Sequence, residues 1–405
     1  MSKHSIRLVT QLGLTQTLGY ASSYYLPAVL AVPMSQSVGI SFQQYFIFLA
    51  AASMISAFLG PRLGKLIDHY GGRMVLPLSS IVFAIGLVVM SAASDPWTLL
   101  LAWLILGFAM AAGLYDAAFA AVVEIQGEHS RQTIAGITLI AGFASTIGWP
   151  LTAWITETSS WQQALLFWAA VHIVLGLPLH LALPGYQKSA RRERRAVRNA
   201  GSVAMVRGSM TLIILMGLLF ALGGFIQVAL GTHLPKLLES GGTPATTALI
   251  AATLLGPGQV LARILQVVLP NLFTPVRVAV AALTLHPLGV LAWILLGQQG
   301  IFLFVFLHGM GSGFLTVAGG VLPLYIFGSQ NYGQRQGYIM AASKVLLAFA
   351  PLLFGVALIS MGTLSLALTV SLAFASLGIL WWLMGHRKRV STELNSTQES
   401  ERLSP

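Results

Sequence analysis

The stretch Gly64-Lys65-Leu66-Ile67-Asp68-His69-Tyr70-Gly71-Gly72-Arg73 is a short polar segment between two long apolar ones. The flanking runs, 42–61 and 74–93, each have about the 20 residues that an α-helix needs to cross a bilayer. We therefore predict two membrane-spanning helices joined by a tight basic loop, in which the glycines let the chain turn.

The whole chain has the composition that this interpretation requires. Of its 405 residues, 22 are Lys or Arg and 11 are Asp or Glu, so 8% are charged, while 56% are hydrophobic. Because a soluble domain carries roughly 25% charged residues, the composition excludes soluble enzymes, disordered chains and nucleic-acid-binding domains. The sequence contains no cysteine, which excludes thiolate metal sites and cysteine nucleophiles. We expect no metal, no cofactor and no nucleic-acid partner.

Twelve apolar runs are long enough to cross a bilayer, which predicts an all-α membrane protein with twelve transmembrane helices. Several of the connections between them are only three or four residues long, so neighbouring helices are predicted to be antiparallel. The predicted spans are 8–33, 42–61, 74–93, 97–122, 132–156, 161–183, 209–233, 244–269, 276–297, 300–327, 336–359 and 363–385.

Lys and Arg collect on one side of these spans. With the N-terminus inside, the outer loops carry only Lys236. Positive residues favour the cytoplasmic side, so both termini are predicted to be cytoplasmic and the net charge of +11 is mainly a topology signal. The predicted organisation is a six-helix bundle (1–185), a basic linker in contact with anionic lipid headgroups (186–208), a second six-helix bundle (209–386) and a cytoplasmic tail (387–405).

The two predicted bundles show weak internal similarity. Leu59-Gly60-Pro61 in the second span corresponds to Leu255-Gly256-Pro257 in the eighth, and Pro150 in the fifth corresponds to Pro351 in the eleventh. Such a repeat of six spans predicts two pseudo-symmetric halves, which is the plan of one large class of transporters.

The loop between the second and third spans resembles the signature G-x-L-x-D-r-x-G-r-[RK] of the major facilitator superfamily. Gly64, Leu66, Asp68, Gly71 and Arg73 match it, while His69 and Gly72 replace the usual arginines. The resemblance implies a secondary transporter that works by alternating access on a small-molecule substrate and functions as a monomer. It also implies that the loop latches the two halves in one state through Asp68.

Arg263 and Lys344 are cations that fall inside predicted spans. Arg263 resembles a carboxylate-binding arginine of the oxalate:formate antiporter and monocarboxylate porter branches of that superfamily. Lys344 resembles a carboxylate-binding lysine of the oxalate branch. A guanidinium fork and an ammonium together suit a small organic anion. Alternatively, Arg263 caps helix carbonyls or pairs with Asp116, and Lys344 extends its ammonium to the inner surface. The usual second-half copy of the loop is replaced by residues 267–271.

Asp116, in the fourth predicted span, is the third charge inside the membrane. A carboxylate in a low-dielectric cavity can carry a coupling proton; the alternative is a fixed ion pair with Arg263 or Arg131. Tyr20, Gln227 and His308 are polar candidates for the lining of a substrate cavity. Gln227 and His308 can each instead satisfy an interhelical hydrogen bond.

Gly148 and Pro150 resemble the Gly-Pro motif of antiporters that export drugs, although Trp149 separates them.

Because of Arg263 and Lys344, the sequence favours an organic-anion transporter in the inner membrane of a bacterial cell. The alternative is a proton-coupled efflux pump for drugs or toxic compounds, including arsenicals. An intramembrane enzyme is the remote alternative, suggested by His308 and Gly311-Ser312-Gly313.

Overall fold

The computed structural model describes residues 2–184 and 209–403, with side chains described for 2–184 and 210–386. Within these ranges the chain is almost entirely helical and contains no β-strand. The predicted linker, 186–208, lies outside the described residues, as do the side chains of the predicted tail, 387–405.

Ten α-helices form the described part of the first half. They are α1 (Lys3–Ala21), α2 (Pro27–Val38), α3 (Phe42–Tyr70), α4 (Gly72–Ser91), α5 (Pro96–Gly113), α6 (Tyr115–Gln126), α7 (Arg131–Ala141), α8 (Ala144–Thr158), α9 (Trp161–Val171) and α10 (Leu177–Leu181). A π-helical turn, His172–Gly176, joins the last two, and a 3₁₀ turn, Gly127–Ser130, precedes α7.

Seven α-helices form the described part of the second half. They are α11 (Ser209–Ser240), α12 (Ala245–Ala252), α13 (Leu255–Val268), α14 (Pro275–Leu296), α15 (Gly300–Phe327), α16 (Tyr332–Met361) and α17 (Ser365–Leu403). Short 3₁₀ turns, Gly297–Gln299 and Gly362–Leu364, precede α15 and α17.

Eight segments of the described chain are long and apolar enough to cross a membrane. Three of them, Pro96–Thr158, Pro275–Phe327 and Tyr332–His386, run for 63, 53 and 55 residues, and each contains two of the predicted spans. The predicted first span, 8–33, is not among the eight. It is divided into α1, which is rich in Thr and Gln, and the 12-residue α2.

Several helices begin at side chains that satisfy their first backbone N–H groups. Ser41 and Gln44 form a reciprocal capping box at the start of α3. Asp95 accepts from the backbone N–H groups of Trp97 and Thr98 at the start of α5. Asp95 lies between membrane segments, and its hydrogen bonds to Thr98 and Trp97 hold the pKa of its carboxyl below the ordinary value.

Four of the predicted continuous spans are interrupted, which the apolar pattern did not indicate. The breaks fall at 22–26, Leu114, 142–143 and 253–254. Polar side chains bond the carbonyls at these breaks: Gln16 Nε2 donates to Gly113 O at 2.6 Å, and Thr253 Oγ1 donates to Ile250 O at 2.7 Å. Because the freed backbone groups keep partners, the breaks are tolerated at membrane depth.

Large side chains fill the interior of each half. Tyr45, Trp103 and Trp168 are fully buried in the first half, and Phe304 and Phe354 are fully buried in the second. The outward faces of the helices are also apolar. Ile294, Ile359 and Trp381, for example, are 72%, 78% and 81% exposed. Such a surface is stable against lipid rather than water.

Candidate functional site

Residues 64–73 lie at one end of the helix bundle, here called the loop end. Asp68 accepts two hydrogen bonds of 2.8 Å from the second half: Oδ1 from the backbone N–H of Gly333 and Oδ2 from that of Gln334. These are the second and third residues of α16, whose first-turn N–H groups have no partner within the helix. Asp68 therefore caps a helix of the other half and places a negative charge at its positive end.

The glycines of this loop allow close backbone contact. A Cβ atom on Gly64 would overlap the carbonyl of Gly333, so α3 and α16 touch through their backbones here. Gly71 ends α3 with a φ of +86°, a conformation that glycine adopts without strain. A Cβ on Gly72 would overlap Ala121 of α6. Arg73 is exposed beside this contact.

A second contact joins the halves at the loop end with the opposite polarity. Arg131, the first residue of α7, donates from Nη2 to Pro270 O at 2.7 Å. In the internal repeat, Arg131 corresponds to the start of α16 and Pro270 to the loop after α3. The segment 267–271 has no carboxylate that could replace Asp68. Instead, the carbonyl of Pro270 accepts a hydrogen bond from the Arg131 side chain at the start of α7. Nearby, Glu128 accepts from the backbone N–H of Ser329 at 2.7 Å.

Asp116 and Lys344 form an ion pair of 2.8 Å between α6 and α16. Lys344 Nζ also donates to Ser56 Oγ at 3.0 Å, and Gln336 Nε2 lies 3.4 Å from Asp116 Oδ1. The partner of Asp116 is thus neither Arg263 nor Arg131, the two partners that the sequence suggested. Lys344 does not extend to the inner surface, because Asp116 and Ser56 hold its ammonium between the halves.

Arg263 is buried between the halves, with 5% of its surface exposed. Its Nε and Nη1 atoms have no hydrogen-bond partner among the described residues. The guanidinium lies against Gly142 at the break between α7 and α8, where a Cβ atom would overlap Nη1. A buried guanidinium without a partner is energetically unfavourable, so this arrangement favours the binding of an anion.

Four tyrosines, here called the tyrosine cluster, pack against one another around Tyr20: Tyr20, Tyr24, Tyr25 and Tyr115. The ring centroids of Tyr20 and Tyr115 are 4.7 Å apart, and those of Tyr20 and Tyr25 are 6.2 Å apart. Tyr115 directly precedes Asp116 in the chain, and Tyr25 packs against Trp149 of α8, the helix that begins just after the Gly142 contact of Arg263. The cluster therefore extends from Asp116 of the ion pair toward α8, on the side of Arg263.

Trp149 extends this aromatic surface. Its ring centroid lies 5.9 Å from that of Tyr25, nearly perpendicular to it, and its Nε1 donates to Tyr25 O at 3.0 Å. The neighbouring Gly148 packs against Ala21, since an added Cβ would lie 2.8 Å from the Ala21 Cβ. Pro150 lies inside α8. In this structure, Gly148 serves the close approach of α1 and α8.

Gln227 and His308 lie in a different place from Arg263. They line a cavity of about 20 Å³ inside the second half, among α11, α14, α15 and α17, which is enough for one water molecule. His286 lines it too, with its ring centroid 5.1 Å from that of His308 and its Nε2 2.9 Å from Thr369 Oγ1. Of the predicted site residues, Tyr20 alone joins Arg263, Lys344 and Asp116.

Several residues that shape the site are not predicted from the sequence. Tyr115 follows a helix break that no apolar pattern reveals, although its position next to Asp116 was a usable signal. Ser56, Gly142 and Gln336 carry no signal of their own. They matter because α3, the break after α7, and α16 bring them beside a charged side chain.

Comparison with known proteins agrees with this architecture. The family model described as Major Facilitator Superfamily matches residues 12–298. The chain belongs to the major facilitator superfamily. This confirms the resemblance inferred from the loop, and it places the chain in a family of multi-pass membrane transporters rather than among enzymes.

A curated bacterial transport protein is a distant relative of the chain. The chain is 26% identical over 246 residues to the inner membrane transport protein YdhP of Escherichia coli strain K12, and this match covers 58% of the chain and 59% of YdhP. The chain thus spans less than two thirds of the length of that curated relative.

Two solved structures of the superfamily share the fold. The human organic anion transporter MFSD10 (TETRAN) superposes with a TM-score of 0.68 at 16% identity, covering 95% of this chain and 100% of MFSD10. The proton:xylose symporter XylE, bound to 6-bromo-6-deoxy-D-glucose, superposes with a TM-score of 0.70 at 14% identity, covering 93% of this chain and 94% of XylE.

Proposed function

We propose that this chain is a secondary transporter that moves a small organic anion across a bacterial inner membrane by alternating access. The observation that carries the proposal is the buried Arg263 guanidinium, whose Nε and Nη1 atoms have no partner among the described residues. A carboxylate bound there would supply the missing acceptors, and charge-assisted hydrogen bonds of this type are strong.

The proposed topology has twelve spans with both termini in the cytoplasm. A helix of 63 residues would be about 95 Å long, about three times the hydrocarbon thickness of a bilayer, so the three longest segments are interpreted as pairs of spans. With α1 and α2 as the first span, the total is twelve. The sorting of Lys and Arg in the sequence supports a cytoplasmic location for the loop end, and the basic composition of the linker supports contact with anionic lipid.

The closed state follows from the contacts at the loop end. Asp68, Arg131 and Lys344 all bond across the halves, and Lys344 lies 12 residues into α16, about 18 Å from its start. The halves are thus closed from the loop end to that level. We interpret this as the state in which the cytoplasmic side is closed and a substrate enters from outside. Separately, we expect the chain to act as a monomer.

Arg263 can be tested by counterflow in proteoliposomes that contain the purified full-length chain. We expect a radiolabelled monocarboxylate such as benzoate to accumulate against the same unlabelled compound, and Arg263→Gln to abolish this accumulation. The matched control is Arg277→Gln, which removes an exposed arginine of the same half. Equal counterflow in the wild type and Arg263→Gln would exclude the anion-binding role.

A proton-coupled efflux pump remains the second candidate. The observation that favours it is the Asp116–Lys344 ion pair at the junction of the halves, because charged side chains within membrane spans often belong to transport pathways. Expression in a host lacking its own exporters separates the two proposals. Resistance to drugs or arsenicals without carboxylate counterflow would favour efflux.

A further inference from the structure

Of the three charged side chains in the candidate site, two neutralise each other and one is left to attract a ligand. Lys344 lies 2.8 Å from Asp116, so these two charges cancel. Arg263 has no such partner among the described residues. The site formed by Arg263, Lys344, Asp116 and the tyrosine cluster therefore presents a net charge of +1 to whatever binds there. One negative charge balances it, whereas a second would meet an ammonium that is already paired.

The surface beside the free charge is aromatic. The Arg263 guanidinium lies against Gly142, just before α8, and Tyr25 packs against Trp149 of that helix. The rings of Tyr25 and Tyr115 are 6.2 Å and 4.7 Å from that of Tyr20. These separations are in the range at which aromatic rings attract one another in tilted or edge-to-face geometry. Trp149 continues the surface beyond Tyr25. The uncharged part of an anion bound at Arg263 would therefore contact aromatic rings.

We propose that the site selects organic anions that carry one negative charge on an aromatic ring, such as an arene monocarboxylate. The inference rests on the proposed function, because it requires that Arg263 binds the anionic group. It adds that the ligand has an aromatic ring and a single negative charge. In this arrangement, Asp116 is a specificity-determining residue, since it neutralises the second cation.

Four carboxylates distinguish the parts of this inference when their Kd values are measured with the purified full-length chain. Benzoate is the reference, and cyclohexanecarboxylate has the same charge and a similar size without an aromatic ring. Acetate carries one negative charge but has no ring, and terephthalate carries a second carboxylate on the aromatic ring. Because an aromatic contact is worth roughly 0.5–1.5 kcal/mol, we expect benzoate to bind about three- to tenfold more tightly than cyclohexanecarboxylate. Acetate and terephthalate are expected to bind more weakly still.

Two substitutions test the residues responsible. Tyr20→Leu is expected to remove the preference of benzoate over cyclohexanecarboxylate while both still bind. Asp116→Asn frees Lys344, so terephthalate is expected to gain several-fold relative to benzoate. If either variant fails to fold, the comparison of the four ligands on the wild-type chain still decides the inference.

The outcomes separate the inference from the proposed function. Binding of none of the four carboxylates would overturn both. Equal binding of benzoate and cyclohexanecarboxylate would overturn the aromatic part alone, and tighter binding of terephthalate would overturn the charge count alone. In these last two cases, the organic-anion transporter would stand.

Discussion

The carboxylate of Asp116 lies 2.8 Å from the ammonium of Lys344, and this ion pair joins α6 in the first half to α16 in the second. The two side chains are 19% and 28% exposed. The pair is thus intermediate between exposed ion pairs, which contribute roughly 0.2–1 kcal/mol, and buried ones, whose disruption costs about 3–5 kcal/mol.

Asp116 and Lys344 should be energetically coupled. In a double-mutant cycle of Asp116→Ala and Lys344→Ala, we expect a coupling free energy of about 1–2 kcal/mol, measured from unfolding of the purified chain in mixed micelles. Either single substitution leaves an uncompensated charge, so the double variant should be more stable than the sum of the single effects predicts. Strictly additive effects would contradict the ion pair.

Asp68→Asn should open the loop end. The amide keeps one acceptor oxygen but loses the charge and one of the two bonds to the first turn of α16. Loss of such a cap costs about 1 kcal/mol, so we expect the ratio of closed to open molecules to fall roughly fivefold to tenfold. Expression should be preserved, and transport should weaken.

Spin labels can measure that ratio because the chain has no native cysteine. The labels are placed at Lys65→Cys and Leu272→Cys, two exposed positions at the loop end of opposite halves. Arg62→Gln, an exposed change on α3, is the control and should leave the distance distribution as in the wild type. A wild-type distribution in Asp68→Asn would argue against the cap as a latch.

Gly142→Ala should weaken anion binding without changing any charge. Gly142 has a φ of −60°, which alanine also adopts, so the effect would come from the added methyl, which would displace the Arg263 Nη1 atom. We expect the Kd for benzoate to rise about tenfold. The control is Gly378→Ala in α17, where the added methyl would have no neighbour within 4 Å. A similar change in both variants would rule out the steric explanation.

Thr369→Val should destabilise the second half but leave the anion site intact. The substitution removes the hydroxyl that His286 Nε2 contacts at 2.9 Å, and a buried polar group without a partner costs about 1–3 kcal/mol. Thr369→Ser keeps the hydroxyl and should retain most of the stability. A changed Kd for benzoate in Thr369→Val would show that the His286 cavity communicates with Arg263.

Local sequence predicted the fold family well for physical reasons. Long apolar runs and a short Gly-Asp loop encode their structure within a few dozen residues. Side-chain pairing is different, because Asp116 and Lys344 are 228 positions apart and meet only through the packing of α6 against α16. Charge alone suggested Arg263 or Arg131 as an alternative ion-pair partner of Asp116, whereas the structure pairs it with Lys344.

The same limit applies to polar candidates chosen by type. Tyr20 lies beside the charged residues, whereas Gln227 and His308 face a cavity within the second half. A polar residue in an apolar helix indicates that its side chain has a polar neighbour. Which neighbour it meets depends on how the helix is rotated about its axis in the packed bundle. The breaks near Leu114 and Gly142 were equally hidden, because the side chains that satisfy the freed carbonyls come from elsewhere, as Gln16 does.

Calorimetric binding of benzoate to the purified chain, with Arg263→Gln as the variant and Arg277→Gln as the control, tests the central claim most directly. The account predicts that Arg263→Gln weakens binding at least about 30-fold, since hydrogen bonds to charged groups contribute roughly 1.5–3 kcal/mol and the ionic attraction is lost as well. Arg277→Gln should bind benzoate as the wild type does. An unchanged Kd in a folded Arg263→Gln variant would contradict the account.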